Sequence, residues 1–388
     1  MLDEARMAAY LRPNGLRQTW GGSGTQMQRA RDETLAAGDP GFSATARHQF
    51  HTLDGMRGIA ALAVVCFHLK SWPPFPIFPS AYLAVDLFFA LSGFVIASAY
   101  DARLARSMSF RQFCLLRVVR LQPLVVLGVA LGLLVFMLSP ETRPTSLVWA
   151  GVATIGAGLN AFMLPNLTGS FLIDPPSWSL FYEMLANLGF ARFHHALTTK
   201  RLLLLAGICL AGLVAAAIWR GNLDAGLMRK DALIAVLRVC FSFSIGVVLF
   251  RSRAIWAGRV RRITPALMLV GLALAFSVPA SGTSRVLYDL LFVSLISPAF
   301  VMFGSQSEPR SPGAVTFFAF LGMISYPVYV LHAPLKHWVE FLFSPTLSPT
   351  ALSALTLCVS VGGAWLAVAR YDVPVRRLLG RLLERRSS

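Results

Sequence analysis

The chain has 388 residues, of which 56% are hydrophobic and 14% charged, against roughly 25% charged in an average soluble protein. Such a chain lacks the polar surface that a soluble fold of this length needs, and the same figures exclude disorder or a collagen-like repeat for most of it. The 35 Lys and Arg against 18 Asp and Glu, a net charge of +17, would suit a nucleic-acid partner or the basic cytoplasmic loops of a membrane protein; the apolar composition selects the second, and no nucleic acid is expected.

Backbone polar groups in lipid are satisfied only by helices and closed barrels. The apolar runs here approach the roughly 20 residues of a spanning helix rather than the alternating ten-residue strands of a barrel. The predicted fold is therefore an all-α polytopic membrane protein, with about ten transmembrane helices around a polar cavity and eleven if one weak segment also crosses.

Residues 1–50 come first. They are polar, lack the charged-then-apolar pattern of a signal peptide, and read as a disordered cytoplasmic tail; Met27 offers a second start. The predicted spans are 54–70, 80–100, 113–138, 177–192, 202–219, 232–250, 264–279, 286–303, 315–335 and 350–369. The segment 145–164, broken by Gly151, Gly156, Gly158 and Asn160, is the weak one.

Charge decides how it is read. If 145–164 does not cross, one side collects Arg192, Lys200, Arg201, Arg251, Arg253, Arg259, Arg261, Arg262, Arg310, Arg370, Arg376, Arg377, Arg381, Arg385 and Arg386. The other side has only Arg220, Arg229, Lys230, Arg285 and Lys336. The positive-inside rule then gives ten spans, both termini cytoplasmic, and a re-entrant or non-spanning 145–164. Residues 51–377 form the membrane domain and 378–388 a basic cytoplasmic tail. The five cysteines lie in apolar stretches without metal-ligand spacing, so no metal is expected.

An ionisable residue inside a span costs about 2.5–3.5 kcal/mol at the helix centre, so each needs a reason. In the first span Arg57 and His68 are separated by eleven residues, which returns to within about 20° of one helical face and about 16.5 Å along the axis. Asp86 lies in the second span, where Ser92-Gly93 reads as a close helix contact. Arg117 and Arg120 share a face of the third, and two guanidiniums there suit phosphate oxygens. Pro175-Pro176 leads into Ser177, a candidate N-cap, then Trp178 and Glu183, with Glu183 expected at a depth similar to His68. In the ninth span Ser325, Tyr329 and His332 form one polar stripe, next to Tyr326 and Pro327.

Together and in this order these pieces resemble the acyltransferase family 3 of membrane proteins. The matching residues are the LDGMRG segment with Arg57 and, after ten residues, His68; the run Asp86-Leu87-Phe88-Phe89-Ala90-Leu91-Ser92-Gly93-Phe94; Arg117-Val118-Val119-Arg120; Trp178-Ser179-Leu180 with Glu183; and Ser325-Tyr326 with Tyr329 and His332. The resemblance covers residues 53–377 and departs in two places. Asp372-Val373-Pro374 stands where the family often has Glu-x-Pro, and the N-terminal lead is longer than the match requires.

The resemblance implies transfer of an acyl group, by default acetyl, from cytoplasmic acyl-CoA to a hydroxyl of an envelope or exported sugar or glycolipid, in the inner membrane of a bacterium. The preference for Arg over Lys agrees with a GC-rich bacterial source. On that reading His68 is the general base, with Glu183 or Asp86 orienting or charge-matching it. Arg57, Arg117 and Arg120 hold the phosphates of the acyl-CoA co-substrate, and Ser177, Trp178, Ser325, Tyr329 and His332 contact substrate. The competing class is a proton-coupled transporter or flippase of a polar or glycan substrate, with the intramembrane acids as its relay. Transporters often carry internal repeats, and LDGMRG has no counterpart in the second half. A non-catalytic scaffold would leave Arg57, His68, Asp86 and Glu183 without a reason.

Overall fold

A computed structural model describes residues 50–69, 77–140, 142, 144, 146–165, 173–227, 229–259 and 262–384. Of the expected N-terminal tail, residues 1–50, all but Phe50 lie outside the described residues, as do the last four residues of the chain. Among the described residues the regular structure is entirely helical. The helices are α1 (His51–His68), α2 (Ala84–Arg106), α3 (Phe110–Leu138), α4 (Leu147–Ala161), α5 (Ser177–Arg192), α6 (Thr199–Arg220) and α7 (Ala232–Arg251). They continue with α8 (Pro265–Phe276), α9 (Gly282–Gly304), α10 (Pro312–Phe343), α11 (Pro349–Ala367) and α12 (Val373–Glu384).

Each segment expected to span contains a helix that covers most of it. Among the described residues seven stretches are long and apolar enough to cross a membrane: Ala81–Arg106, Phe110–Leu138, Thr199–Arg220, Ala232–Arg251, Gly282–Gly304, Pro312–Phe343 and Pro349–Leu383. Three of the expected ten differ. Helix α1 has 18 residues but includes Asp54, Arg57 and His68; α5 has 16 and α8 has 12. All three are shorter than the roughly 20 residues that cross a bilayer. The 15-residue α4 corresponds to the weak segment 145–164. It is held to α3 at its C-terminal end, where the Gln122 amide donates to the Ala161 carbonyl.

Local signals set the boundaries. Ser109 and Gln112 form a reciprocal capping box at the start of α3. The hydroxyls of Ser146, Thr198, Ser311 and Ser348 each accept a backbone N–H of the first turn of α4, α6, α10 and α11. Gly221, at φ +81°, ends α6 in the left-handed conformation. Single π-turns interrupt α9 at Phe292–Ile296 and join α11 to α12 at Val368–Asp372. The second leaves Asp372 buried, accepting from Arg376.

Small residues let the helices close on one another, the device expected where lipid supplies no hydrophobic drive between them. Gly58 of α1 lies against the Leu321 backbone of α10, and Gly93 of α2 and Gly246 of α7 each face a carbonyl of the other helix. Helix α10, unbroken through Pro327 and Pro334, packs against α1, α3 and α11. That places α10 at the centre and sets its polar stripe beside the polar face of α1.

Candidate active site

Helix α1 ends at His68, which lines a cavity of about 490 Å³ together with Trp178, Arg238, Tyr329, His332 and Lys336. The His68 side chain is exposed, while His332 is 1% exposed. Because α1 and α10 touch through Gly58, the two histidines meet: His68 Nδ1 lies 3.2 Å from His332 Nε2. Each ring also faces a carbonyl of its own helix. His68 Nδ1 is 2.9 Å from the Val64 oxygen, and His332 Nδ1 is 2.7 Å from the Tyr329 oxygen.

The rest of the stripe on α10 is buried. Tyr329 shares a 2.6 Å hydrogen bond with Ser179 at the start of α5 and meets the Phe88 ring edge-on. Ser325 donates to the Gly322 carbonyl within its own helix. Tyr326 donates to the Leu121 carbonyl at 2.7 Å, tying α10 to α3. Ser177 is the first residue of α5 rather than its N-cap, which is Pro176. Its hydroxyl donates to the Asp174 carboxylate at 2.5 Å, and no side chain caps the helix.

A second centre lies further along α5. Glu183 accepts from Ser92 at 2.7 Å and pairs with Arg117 at 3.7 Å. The sequence placed Glu183 at the depth of His68. The structure sets it with the arginines, because each residue of α5 after Ser179 advances about 1.5 Å away from the His68 end. Arg57 feels the charges of Glu183 and Arg120 and pairs with Asp54 at 3.7 Å. Arg117 is buried and Arg120 exposed, so the two do not present matching guanidiniums: one is committed to Glu183 and the other faces outward.

Asp86 has a partner that the sequence reading missed. Arg238 of α7 grips it with two nitrogens at 3.1 and 2.5 Å, and both side chains are within 1% of full burial. The remaining guanidinium donors reach the Ala225 and Tyr82 carbonyls, and the Trp178 ring lies 5.9 Å away. Arg238 carries the same signal that singled out Asp86, an ionisable residue in the middle of an apolar run. Another buried acid, Asp289 of α9, accepts from Tyr82 and from the Leu223 N–H. The acids expected near His68 are thus engaged by Arg238, Ser92 and Arg117, and the contacts of the His68 ring include a second histidine. Among the described residues no cluster of His, Cys, Asp and Glu could hold a metal ion.

The polar groups form a line through the bundle. It runs from Asp54 and Arg57 to Arg117, Glu183 and Ser92, then to Ser179 and Tyr329, and ends at His332 and His68 in the cavity. The acyltransferase domain of family 3 matches residues 50–369, which includes all of these positions. The chain belongs to that family. It is 36% identical over 183 residues to protein 2 in the picA locus of Rhizobium radiobacter, a match covering 44% of this chain and 95% of the relative. It is 25% identical over 375 residues to the acyltransferase MdmB of Streptomyces mycarofaciens, covering 85% of this chain and 92% of the relative. No solved structure matches it. Family and helices together define a multi-pass membrane acyltransferase.

Proposed function

We propose that this acyltransferase moves an acyl group, acetyl by default, from acyl-CoA to a hydroxyl of a sugar or glycolipid destined for the cell envelope or for export. The observation that carries the reading is the line of polar side chains joining an arginine-rich end to a histidine-lined cavity. Acyl-CoA carries phosphates and a thioester. Its phosphates suit Arg57 and Arg120 at the one end, with Arg117 and Glu183 fixing the shape of that mouth. The acceptor enters the cavity at the other end, bounded by Trp178, Tyr329 and Lys336.

In the reaction the acceptor hydroxyl attacks the thioester carbonyl. His68 takes the hydroxyl proton as the C–O bond forms and returns it to the thiolate as the C–S bond breaks, so the products are the ester and free CoA. General-base assistance of this kind is worth roughly 10²–10⁴-fold. On the same reading the arginine-rich end faces the cytoplasm, where acyl-CoA is made, in a bacterial inner membrane. The positive-inside rule supports that orientation.

The test is incubation of the purified protein with radiolabelled acetyl-CoA and an extract of envelope glycans. Acetyl-CoA-dependent labelling of a glycan is expected, with His68→Ala lowering the rate at least about 100-fold while the protein still inserts. A His68→Ala protein with near-normal transfer removes His68 from the mechanism. Transport of a glycan without any consumption of acetyl-CoA decides for a transporter.

A further inference from the structure

We infer that Asp224 selects the acceptor: its carboxylate takes hydrogen bonds from two hydroxyls of an uncharged sugar ring in the cavity and repels sugars that carry an acid group. The inference deepens the acyl-transfer reading and rests on it for the cavity being the acceptor's place.

Among the described residues four side chains of the Asp, Glu, Lys and Arg types line the cavity: Asp224, Arg238, Lys336 and Glu340. Three of them are committed. Arg238 is held by Asp86 at 2.5 Å, and Lys336 pairs with Glu340 one turn along α10 at 2.8 Å. Asp224 is exposed, and its carboxylate oxygens carry no hydrogen bond or ion pair among the described residues. Arg238 acts on it only through the longer-range attraction of their charges. The cavity thus presents one uncommitted charge, on a group that when ionised only accepts hydrogen bonds.

The backbone around Asp224 is held more firmly than a loop in solvent requires. The Leu223 N–H donates to the buried Asp289 at 2.7 Å, and the Ala225 carbonyl accepts from the buried Arg238 at 2.8 Å. The Asp224 carbonyl accepts from Arg220 at 3.3 Å, and its N–H donates to the Asn222 side chain at 3.0 Å. Gly226 follows at φ +145°, and a Cβ there would meet the Trp178 ring. Leu223, Ala225 and Gly226 are buried, so of residues 223–226 Asp224 alone is exposed.

Two buried charges on different helices, α7 and α9, therefore fix the neighbours of one exposed acid beside an aromatic ring. Binding pockets are mostly apolar, with a few placed polar groups that set orientation and specificity. Trp178 and Tyr82 supply ring surface for the C–H face of a sugar, and Asp224 supplies two oxygens for adjacent hydroxyls. A hydrogen bond to an ionised acceptor is roughly twice as strong as a neutral one. An acidic sugar would bring a second negative charge against Asp224, while Lys336 and Arg238 are already paired.

The test uses purified protein in nanodiscs and matched methyl glycosides: the neutral gluco, galacto and manno forms, and the same rings oxidised to the uronate. Ligand-observed NMR reads binding without turnover. At least one neutral glycoside should bind about tenfold or more tightly than its uronate. Asp224→Asn, nearly the same in shape, should weaken that glycoside about tenfold and narrow its advantage over the uronate to about threefold or less. A purely structural role would weaken both members of a pair equally. Equal or tighter binding of the uronates, binding of no neutral glycoside, or an Asp224→Asn protein with wild-type affinities overturns the inference. In the transfer assay the same variant should raise the KM for the envelope glycan about tenfold and leave the KM for acetyl-CoA unchanged; an unchanged KM for the glycan removes Asp224 from acceptor selection. If wild-type protein consumes no acetyl-CoA, the acyl-transfer reading fails, while glycoside binding still judges Asp224.

Discussion

The residue that most changes the picture of this membrane interior is Arg238. A buried ion pair is weak evidence for net stability, because desolvation offsets much of the attraction, but breaking one partner leaves an uncompensated charge. Arg238→Leu is expected to destabilise the protein by about 3–5 kcal/mol and to loosen Trp178 and Tyr82 on the cavity wall. Replacing Asp86 and Arg238 together by Leu and Met should cost clearly less than either single change. Thermal unfolding in detergent separates these outcomes; additive losses would show that the two side chains do not act as a pair. Hydrogen bonds from Arg238 to the Ala225 and Tyr82 carbonyls make the pair a strut between α2, α7 and the segment after α6. Its place is structural, whereas His68 is exposed in the cavity and suited to chemistry.

Among the elements, the α2–α7 crossing shows how composition becomes geometry. A Cβ on Gly246 would meet the Ala90 carbonyl, and one on Gly93 would meet the Phe243 carbonyl. Neither obstacle is a flexible side-chain tip, so the helices would have to separate. Gly246→Ala should therefore destabilise by about 1–3 kcal/mol through overpacking, despite the better helix propensity of alanine. Gly151 and Gly158 of α4 have nothing within 4 Å of such a Cβ, and Ala there should be neutral or slightly stabilising. Equal melting temperatures for Gly246→Ala and Gly151→Ala would contradict the close-contact account. The same logic links fold to chemistry at Gly58. Its contact with the Leu321 backbone holds α1 against α10, and that approach brings His68 to His332.

At the scale of the whole molecule two expectations can be measured. The first is pH-dependent stability. Burial pushes the Glu308 carboxyl, in the loop before α10, from 4.5 up to about 7; the His51 N–H opposes the shift and Asp54 adds to it. The fold thus retains a proton that the unfolded chain releases. The stability this group provides is complete below about pH 4.5 and is lost as the pH rises through about 7. Glu308→Gln should flatten the fall in melting temperature between about pH 5 and 8, and a variant with the wild-type pH profile would remove Glu308 as its source. The second expectation is orientation. Thiol reagents that do not cross the bilayer should label cysteines fused at both termini from the cytoplasmic side only; external labelling of the C-terminus would overturn the ten-span arrangement.

The sequence by itself pointed to a helical membrane protein, since 14% charged residues suit a chain in lipid, and apolar runs near 20 residues select helices over a closed barrel. It also pointed to the family, because the motifs around Arg57, His68, Asp86, Arg117, Glu183 and His332 stand in register along the chain. Helix positions were legible because apolar runs are local features. Partner choice was not, because a pair such as Asp86–Arg238 joins residues 152 positions apart, and nothing local says which acid meets which base. Only the tertiary structure seated Glu183 with Arg117 and gave His68 a histidine neighbour. The physical reason is common to both: helix direction and glycine-mediated contact fix which side chains share a depth, and those are properties of the packed bundle.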